Sequence, residues 1–508
     1  MFHNLPTYSN LVILAYLTAM GAIGVLVSRW NRENSTTEYF LAGSNVGWFA
    51  LGTSLFVTTL SAGWFLSLAD VLPSRSDQVL WGGMLGALFV LVLGVFFAPR
   101  FLRSTVFTVP QLLSGRLDRT TWLSLSGLSI FLNVAVRIPL VIFWGSWVLG
   151  HALGWDMTTS ALLIVVVTGL YTIAGGLSAV IYAQVIQAGI VVLGSLLLML
   201  SSLGGPRSGS LLSGEGGSLF FLSSPAASGS TAPWPGLLLG ILAVGTWYWF
   251  SDQYVVHRVL AAKNKKHALR GTILAAWLIL LQIAVLGLIP LSTTESQSQS
   301  VFGTALDAVT KRIIPIAFLS LLMSSLSAFF HSTATLFTMD FYRSTHPGVD
   351  DSTLVLVGRL AITGIVVFAI LIVSSIAIVG SDTTVHLRCV LTSLTPPIAA
   401  VFLLSLTWRR VVGKCALWAL IAGELFGLTH LVAGAVLEKG DDTLPFVGAI
   451  AGAHDLFIAA SAFAISAFVL VTLSFLREAP AMAKEPTPGE RGSGTVDVLR
   501  SGFGARKV

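Results

Sequence analysis

Long runs of apolar residues, separated by short polar connections, follow one another along this chain. A helix that crosses a membrane needs about 20 mostly apolar residues, and thirteen runs approach or exceed this length. They lie at 9–28, 46–70, 79–99, 122–151, 157–174, 178–204, 236–257, 271–291, 313–342, 354–379, 384–408, 412–437 and 454–476. The pattern therefore predicts an all-α integral membrane protein with about thirteen transmembrane helices.

The positions of the basic residues predict how these helices are oriented. Arginine and lysine concentrate in the loops after odd-numbered runs, for example at 100–103 and 258–270. Because cytoplasmic loops carry an excess of Lys and Arg, we expect the N-terminus outside and the C-terminus in the cytoplasm. We interpret the first run as a retained helix rather than a signal peptide, since no basic residue precedes it. The expected location is the plasma membrane, which is the inner membrane in a bacterium.

Composition supports a membrane protein and argues against other classes. Hydrophobic residues make up 55% of the 508 residues and charged residues 10%, whereas soluble domains carry about 25% charged residues. The net charge of +6 is spread over loops without forming a basic patch, so we do not expect nucleic-acid binding. No catalytic motif predicts an enzyme, and nothing in the sequence predicts an obligate protein partner. The expected partners are the lipid bilayer and a small solute.

Two of the apolar runs are interrupted by small and polar residues. The second reads GTSLFVTTLSAGW at 52–64, and the seventh reads GTWYWFSDQ at 245–253. Five helices separate the starts of the two runs, as an inverted repeat of five plus five helices requires. Discontinuous helices in corresponding positions of two halves point to a binding site near the middle of the bilayer. The alternative is that these Ser, Thr and Gly residues serve ordinary helix packing.

The ninth run carries two neighbouring hydroxyl residues at mid-depth. Ser324 and Ser325 stand three and four residues after Leu321, so their hydroxyl groups share a helical face near its carbonyl group. Such neutral oxygens suit a weakly held alkali cation. Both hydroxyl groups could instead donate to carbonyls of their own helix. Spacing alone leaves both interpretations open.

Several stretches together resemble the sodium/solute symporter family, which includes the sodium–glucose cotransporters. They are YFLAGSNVGWFALGTSLFVTTLSAGWF (39–65), GLYTIAGGLSAVIYAQVIQ (169–187), WYWFSDQYVVHRVLAAKNKKHALRGTIL (247–274), MSSLSAFFHSTATLFTMDFY (323–342) and SLTPPIAAVFLLSLTWRR (393–410). The resemblance implies a leucine-transporter-like fold with a 5+5 inverted-repeat core that contains broken helices. It also implies sodium-coupled symport of a small organic solute by alternating access.

The resemblance divides the chain into four parts. Residues 1–45 would form an additional N-terminal helix and a cytoplasmic loop, and residues 46–408 would form the inverted-repeat core. Residues 409–476 would add C-terminal helices. The polar tail at 477–508 is expected to be a disordered cytoplasmic segment.

The family's sodium site can be carried over residue by residue. It falls on the carbonyl groups of Val57, Leu60 and Leu321 and on the hydroxyl groups of Ser324 and Ser325. The resemblance therefore implies Na⁺ as the coupling ion.

One departure from the sugar transporters bears on the number of sodium ions. Gln184 stands where they carry an acidic residue that in some members helps to form a second sodium site. A single sodium ion is therefore expected, and the tightness of coupling stays open. This departure also permits a proton-coupled or uncoupled transporter of the same fold.

The expected solute site departs from the sugar transporters as well. The sugar-binding positions are occupied by Thr59, Trp64, Ile279 and Arg388, while the aromatic residues Tyr248 and Trp249 are retained. We therefore do not expect a hexose.

Arg137 and Arg388 indicate the charge of the solute. An arginine inside a membrane is costly and marks a functional site by default, so the pair predicts a solute that bears a carboxylate. The expected substrate-binding residues are Thr59, Trp64, Arg137, Tyr248, Trp249 and Arg388. In the alternative interpretation, Arg137 pairs with Glu424 and Arg388 extends to the outer surface near Asp382.

Three further polar residues and one further class of protein complete the expectations. His331 is expected to be a packed core side chain, and Asp252 and Asp340 are expected to form salt bridges or gating contacts near the cytoplasmic ends of their helices. The alternative class is a membrane sensor that keeps the transporter fold.

Overall fold

The computed structural model describes residues 7–30, 35–60, 76–104, 106–203, 234–288, 310–376, 381–408, 410–437 and 453–476. Within these ranges the regular structure is helical, apart from an isolated parallel bridge between Val46 and Ala262. Ten helical spans of the described residues, counted continuously through π-helical turns, are long and apolar enough to cross a membrane. The prediction of an all-α membrane protein is confirmed, and the number thirteen stays a prediction. Trp64 and the tail at 477–508 lie outside the described residues.

The helices are numbered here in chain order, and four of the junctions between them are π-helical turns. The helices are α1 (Thr7–Trp30), α2 (Thr36–Leu41), α3 (Trp48–Thr59), α4 (Ser76–Val92), α5 (Ala98–Ser104), α6 (Val109–Leu113), α7 (Arg119–Phe131), α8 (Ile138–Leu153), α9 (Met157–Leu203), α10 (Trp234–Thr246), α11 (Gln253–Leu260), α12 (Lys265–Leu288), α13 (Thr310–Leu336), α14 (Arg343–Thr345), α15 (Asp351–Ile376), α16 (Ser381–Thr407), α17 (Gly413–Leu437) and α18 (Asp455–Leu476). The π turns are Leu93–Phe97, Leu132–Arg137, Trp247–Ser251 and Phe337–Tyr342.

Helix α9 contains a sharp break at Gly176, where φ is 58° and ψ is −151°. A straight helix of its 47 residues would be about 70 Å long, more than twice the apolar thickness of a bilayer. The break separates the two runs that the sequence predicts at 157–174 and 178–204. A Cβ atom at this position would lie 2.6 Å from the carbonyl oxygen of Tyr39, so the turn requires glycine for both its backbone angles and its space.

Both interrupted runs form broken helices, as the sequence predicts. Helix α3 has only 12 residues, and Leu60 leaves the helical conformation with φ −78° and ψ 79°. The second break follows α10 and its π turn, where Asp252 is extended with φ −77° and ψ 122° before α11 begins. Asp252 caps α11, since its Oδ1 accepts a hydrogen bond of 3.1 Å from the backbone N–H of Tyr254. Each break exposes backbone groups that a continuous helix would use internally.

Backbone hydrogen bonds join the beginning of the first broken helix, before α3, to the end of the second, after α11. The backbone N–H of Val46, just before α3, donates to the carbonyl of Ala261 at 3.1 Å, and the N–H of Lys263 donates back to Val46 at 3.0 Å. Helix α3 also packs closely on α12, because a Cβ atom at Gly52 would lie only 2.7 Å from the carbonyl oxygen of Gly271. Small residues let membrane helices approach to this distance.

Enlarging Gly52 should therefore destabilise the protein. Gly52→Val would place methyl groups against the α12 backbone, at an expected cost of about 1–3 kcal/mol. We expect the melting temperature of the detergent-solubilised protein to fall by several degrees. Gly189→Val is the matched control, since a Cβ atom at this exposed helical glycine meets nothing within 4 Å. Equal effects of the two substitutions would contradict the close approach of α3 and α12.

Candidate sodium and solute sites

The end of α3 and the middle of α13 meet at the predicted sodium site. The Oγ of Ser324 lies 3.1 Å from the carbonyl oxygen of Val57 and 2.8 Å from that of Leu321, and donates to both. These three residues are fully buried. Three of the five residues carried over from the family are therefore in direct contact. Leu60, at the break itself, is also buried, and its role as a ligand stays a prediction.

Ser325 differs from Ser324, because its buried Oγ forms no hydrogen bond of normal geometry with the described residues. It neighbours the hydroxyl group of Tyr254, which donates instead to the carbonyl of Thr58. Buried hydroxyl groups are normally hydrogen-bonded, so an unpartnered one beside carbonyl groups fits the position of an ion ligand. Donation back to the helix, the alternative interpretation, describes Ser324 and not Ser325.

The local backbone also favours a cation at this place. Helix α3 ends at Thr59, so the carbonyl groups of its last turn have no partners further along the same helix. These carbonyls give the C-terminal end of a helix a partial negative charge. The broken end of α3 therefore presents neutral but electron-rich oxygens toward Ser324 and Ser325. This chemistry can hold Na⁺ without a carboxylate.

Arg137, at the end of the π turn before α8, forms a buried ion pair with Asp252 in the break of the second broken helix. Its Nη1 lies 2.6 Å from Asp252 Oδ2 and also donates to Asn133 Oδ1 at 3.1 Å. Arg137 is 6% exposed and Asp252 4% exposed. The alternative pairing with Glu424 is therefore wrong, and Asp252 is a buried partner rather than an interfacial one. The break before α11 explains the difference, because it turns the Asp252 carboxylate into the protein.

Aromatic rings surround the Arg137 guanidinium group. Its Cζ lies 4.4 Å from the ring centroid of Phe329 and 4.8 Å from that of Tyr254. Tyr248 is at 5.8 Å and packs edge-on against Trp249, with their ring centroids 5.1 Å apart. Such cation–π contacts stabilise a desolvated guanidinium. Arg137, Tyr248 and Trp249, three of the residues predicted to bind solute, thus form one cluster.

The other residues predicted to bind solute lie elsewhere or are engaged locally. Thr59 is half-buried, and its Oγ1 donates to the carbonyls of Leu55 and Phe56 at 2.9 and 3.0 Å. Arg388 on α16 is exposed, and the side chain of Asp382 lies outside the described part of the structure. The contact of Arg388 with solute therefore stays a prediction, as does that of Thr59.

Sequence reasoning missed the position of Arg258, which it counted among the basic residues of an inner loop. Arg258 lies within α11, whose residues are all buried, and its own exposure is 1%. Its apolar neighbours on both sides, in YVVHRVLAA, are typical of a buried segment and could have indicated this. The orientation deduced from the remaining basic loops does not depend on it.

Two other polar residues lie deep in the protein. The imidazole of His331 is packed, as expected, with Nε2 3.1 Å from the carbonyl oxygen of Tyr39. Asp340 is fully buried rather than interfacial, and its carboxylate accepts hydrogen bonds from Thr108 Oγ1 at 2.7 Å and Ser126 Oγ at 2.5 Å. Hydrogen bonds from these hydroxyl groups stabilise the buried carboxylate, where the sequence predicts a salt bridge or a gating contact.

Broken helices around a neutral oxygen site and a buried polar cluster define a membrane transporter. Known proteins bear this out. The sodium:solute symporter family matches residues 39–423. Sodium/glucose cotransporter 2 of Rattus norvegicus is 31% identical, over 91% of this chain and 78% of its own length. The sodium/myo-inositol cotransporter of Homo sapiens is 30% identical, over 94% of this chain and 74% of its own length.

Solved structures agree on the fold. A Na⁺-coupled sialic acid symporter in a substrate-bound outward-open state superposes with a TM-score of 0.77 at 19% identity, covering 94% of this chain and 99% of that one. Mhp1, a nucleobase-cation-symport-1 family transporter, superposes with a TM-score of 0.52 at 15% identity, covering 88% and 95%.

The chain belongs to the sodium:solute symporter family. It is a multi-pass membrane transporter and not an enzyme, its fold is leucine-transporter-like, and Na⁺ is its coupling ion.

Removing the unpartnered hydroxyl group should weaken sodium binding. We expect Ser325→Ala to raise the sodium concentration for half-maximal binding about fivefold, because one ligand oxygen contributes about 1 kcal/mol. Ser324→Ala should have an effect of the same size. Ser332→Ala is the matched control, since Ser332 is buried on the same helix and donates only to the carbonyl of Phe329. Titration of the purified protein with ²²Na⁺ measures all three, and unchanged affinity in both site variants would place the ion elsewhere.

Proposed function

We propose that this protein imports a small organic solute bearing a carboxylate, together with one sodium ion, by alternating access. Family membership supports solute transport and sodium coupling. One observation carries the choice of an anionic solute: of the two buried arginines Arg137 and Arg258, only Arg137 is paired with the buried carboxylate of Asp252.

The charge of this cluster favours an anion. The two guanidinium groups and one carboxylate leave one positive charge, and sodium adds a second. Burying uncompensated charge in a membrane protein costs several kcal/mol. A solute carboxylate would reduce the excess, whereas a neutral solute would leave it unchanged. Sodium and an anionic solute would then each raise the other's affinity, as symport requires.

Arg137 also retains the donors that a carboxylate needs. Both of its side-chain hydrogen bonds to described residues leave from Nη1. Its Nε and Nη2 groups are the pair that an arginine uses to clasp a carboxylate bidentately. The surrounding rings of Tyr248 and Phe329 would contact the apolar part of the solute.

A neutral polyhydroxylated solute is the second candidate. Two relatives are named as glucose and myo-inositol cotransporters, and Arg137 is already paired with Asp252. The two candidates differ in the charge moved per cycle. One sodium ion with a monocarboxylate is electroneutral, whereas one sodium ion with a neutral solute moves one positive charge. The membrane potential acts on each moved charge with about 2.3 kcal/mol per 100 mV.

Uptake by the purified protein in proteoliposomes separates these candidates. Monocarboxylates and polyols are offered with an inward sodium gradient, with and without an inside-negative potential set by potassium and valinomycin. The proposal expects sodium-driven carboxylate uptake that the potential leaves unchanged. Polyol uptake accelerated by the potential would favour the second candidate. Uptake indifferent to sodium would indicate proton-coupled or uncoupled transport, and binding of solute without any flux would indicate a sensor.

Arg137 should be needed for the carboxylate. Arg137→Gln removes about 1.5–3 kcal/mol of charge-assisted hydrogen bonding, so we expect a 10- to 100-fold loss of uptake at low solute concentration. The double variant Arg137→Gln/Asp252→Asn should be equally impaired while avoiding an unpaired buried carboxylate. Arg103→Gln, at the exposed end of α5, is the control for loss of charge. Normal uptake by the folded double variant would exclude Arg137 from the solute site.

We further propose that the N-terminus lies outside, the C-terminus in the cytoplasm, and the protein in the plasma membrane. Basic loops on the inner side support this orientation. Single cysteines at Asn10 and at Ser501, in a background lacking Cys389 and Cys415, can be labelled on intact cells with an impermeant thiol reagent. Only the cysteine at position 10 should react before the cells are permeabilised. The reverse pattern would invert the topology.

A further inference from the structure

Arg258 is a fully buried guanidinium group close to the proposed sodium site. Its Nε donates to Ser54 Oγ at 3.0 Å, its Nη1 donates to the carbonyl of Tyr254, and its Nη2 lies 3.4 Å from Gln184 Oε1. All of these acceptors are neutral. Within the described ranges no carboxylate lies at ion-pairing distance from Arg258, because Asp252 pairs with Arg137. Among the side chains that the structure describes, its positive charge is therefore met by dipoles and not by a carboxylate.

The side-chain amide of Gln184 joins this charge to the sodium site. Its Oε1 accepts from Ser54 Oγ at 2.5 Å and faces Arg258, while its Nε2 donates to the carbonyl of Ser324 at 3.0 Å. The opposite orientation of the amide would place its NH₂ group against a guanidinium and its oxygen against a carbonyl. The Oε1 atom of Gln184 therefore faces the Arg258 guanidinium, and its Nε2 group faces the Ser324 carbonyl.

The residue that accepts from Gln184 also carries a proposed sodium ligand. The backbone carbonyl of Ser324 accepts hydrogen bonds from the Gln184 amide and, at 3.0 Å, from Ser327 Oγ. The hydroxyl group of Ser324 donates to the carbonyls of Val57 and Leu321. Arg258 is therefore separated from a sodium ligand by one side chain. In a buried region of low dielectric constant, a positive charge at this distance repels a second cation appreciably.

We infer that Arg258, held by Gln184, is a fixed internal cation that lowers the affinity of the neighbouring sodium site. Arg258 and Gln184 are positioning residues in this view, since neither contacts the ion. A neutral amide at position 184 leaves the repulsion in place, whereas a carboxylate there would pair with Arg258 and remove it. The low affinity assists release of sodium during each transport cycle. This inference rests on the proposed sodium site of Ser324 and Ser325.

Sodium binding to the purified full-length protein tests the inference without knowledge of the solute. Equilibrium binding of ²²Na⁺ gives both the affinity and the number of ions bound. We expect Gln184→Glu to tighten sodium binding about tenfold at unchanged stoichiometry, because cancelling a nearby buried like charge at an effective dielectric constant of about 20 changes the binding free energy by about 1–2 kcal/mol. Arg258→Gln should tighten it similarly, and Arg258→Lys should stay within about twofold of the original protein.

A gain of affinity distinguishes this role from a structural one, because a damaged fold weakens binding. The matched control is Gln187→Glu, one helical turn further along α9, where the side chain contacts Tyr16 at 3.3 Å and not Arg258. We expect it to change the affinity less than threefold.

Three results would overturn the inference. They are unchanged or weaker binding in Gln184→Glu, an equal gain in Gln187→Glu, and a second bound sodium ion in Gln184→Glu, which would make the new carboxylate a ligand. Unaltered binding in Ser325→Ala would instead refute the sodium site itself.

Discussion

A helix that stops inside a membrane leaves backbone groups without partners. Many of the buried polar side chains of this protein provide hydrogen bonds or charges at the two places where helices are broken. The hydrocarbon interior offers no water to satisfy freed carbonyl groups. Where α3 ends, the side chains of Ser324 and Tyr254 supply donors to the carbonyls of Val57 and Thr58. An ion bound beside the unpartnered Ser325 hydroxyl group would complete the same task. Sodium is then both cargo and part of the fold at this point.

The second break is satisfied in a different way, by charge. Asp252 caps α11 with one carboxylate oxygen and pairs with Arg137 through the other. Arg258, further along α11, has neutral partners among the side chains that the structure describes. The two breaks therefore place a neutral, electron-rich surface beside a region of excess positive charge. A sodium ion would be attracted to the electron-rich carbonyl groups, and an anionic solute would be attracted to the excess positive charge.

The sequence could predict the elements of the fold well, because apolar length and interrupted runs are local properties. The breaks near Leu60 and Asp252 follow from runs of small and polar residues, and the face shared by Ser324 and Ser325 follows from helical spacing. The resemblance to a family then supplied Val57 and Leu60, which no spacing argument reaches.

The partners of the charged residues could not be predicted in the same way. Arg137 meets Asp252 across 115 residues, and Gln184 meets Ser324 across 140, so both contacts depend on how helices pack. Arg258 was assigned to a loop because the sequence shows where charge occurs and not whether α11 turns back into the protein. Arg388 lies exposed for a related reason, since the rotation of α16 about its axis is a property of the whole bundle.

The hydrogen bonds between Val46 and the strand-like segment Ala261–Lys263 tie the entrance of the first broken helix to the exit of the second. Alternating access requires one group of helices to rock against the rest. Because these two segments share backbone hydrogen bonds in addition to side-chain packing, we expect them to move together. The proposed sodium site at the end of α3 and the charges on α11 would then belong to the same moving part. The hydrogen bonds between Val46 and Ala261–Lys263 would then help to couple the movements of the sodium site and the solute site.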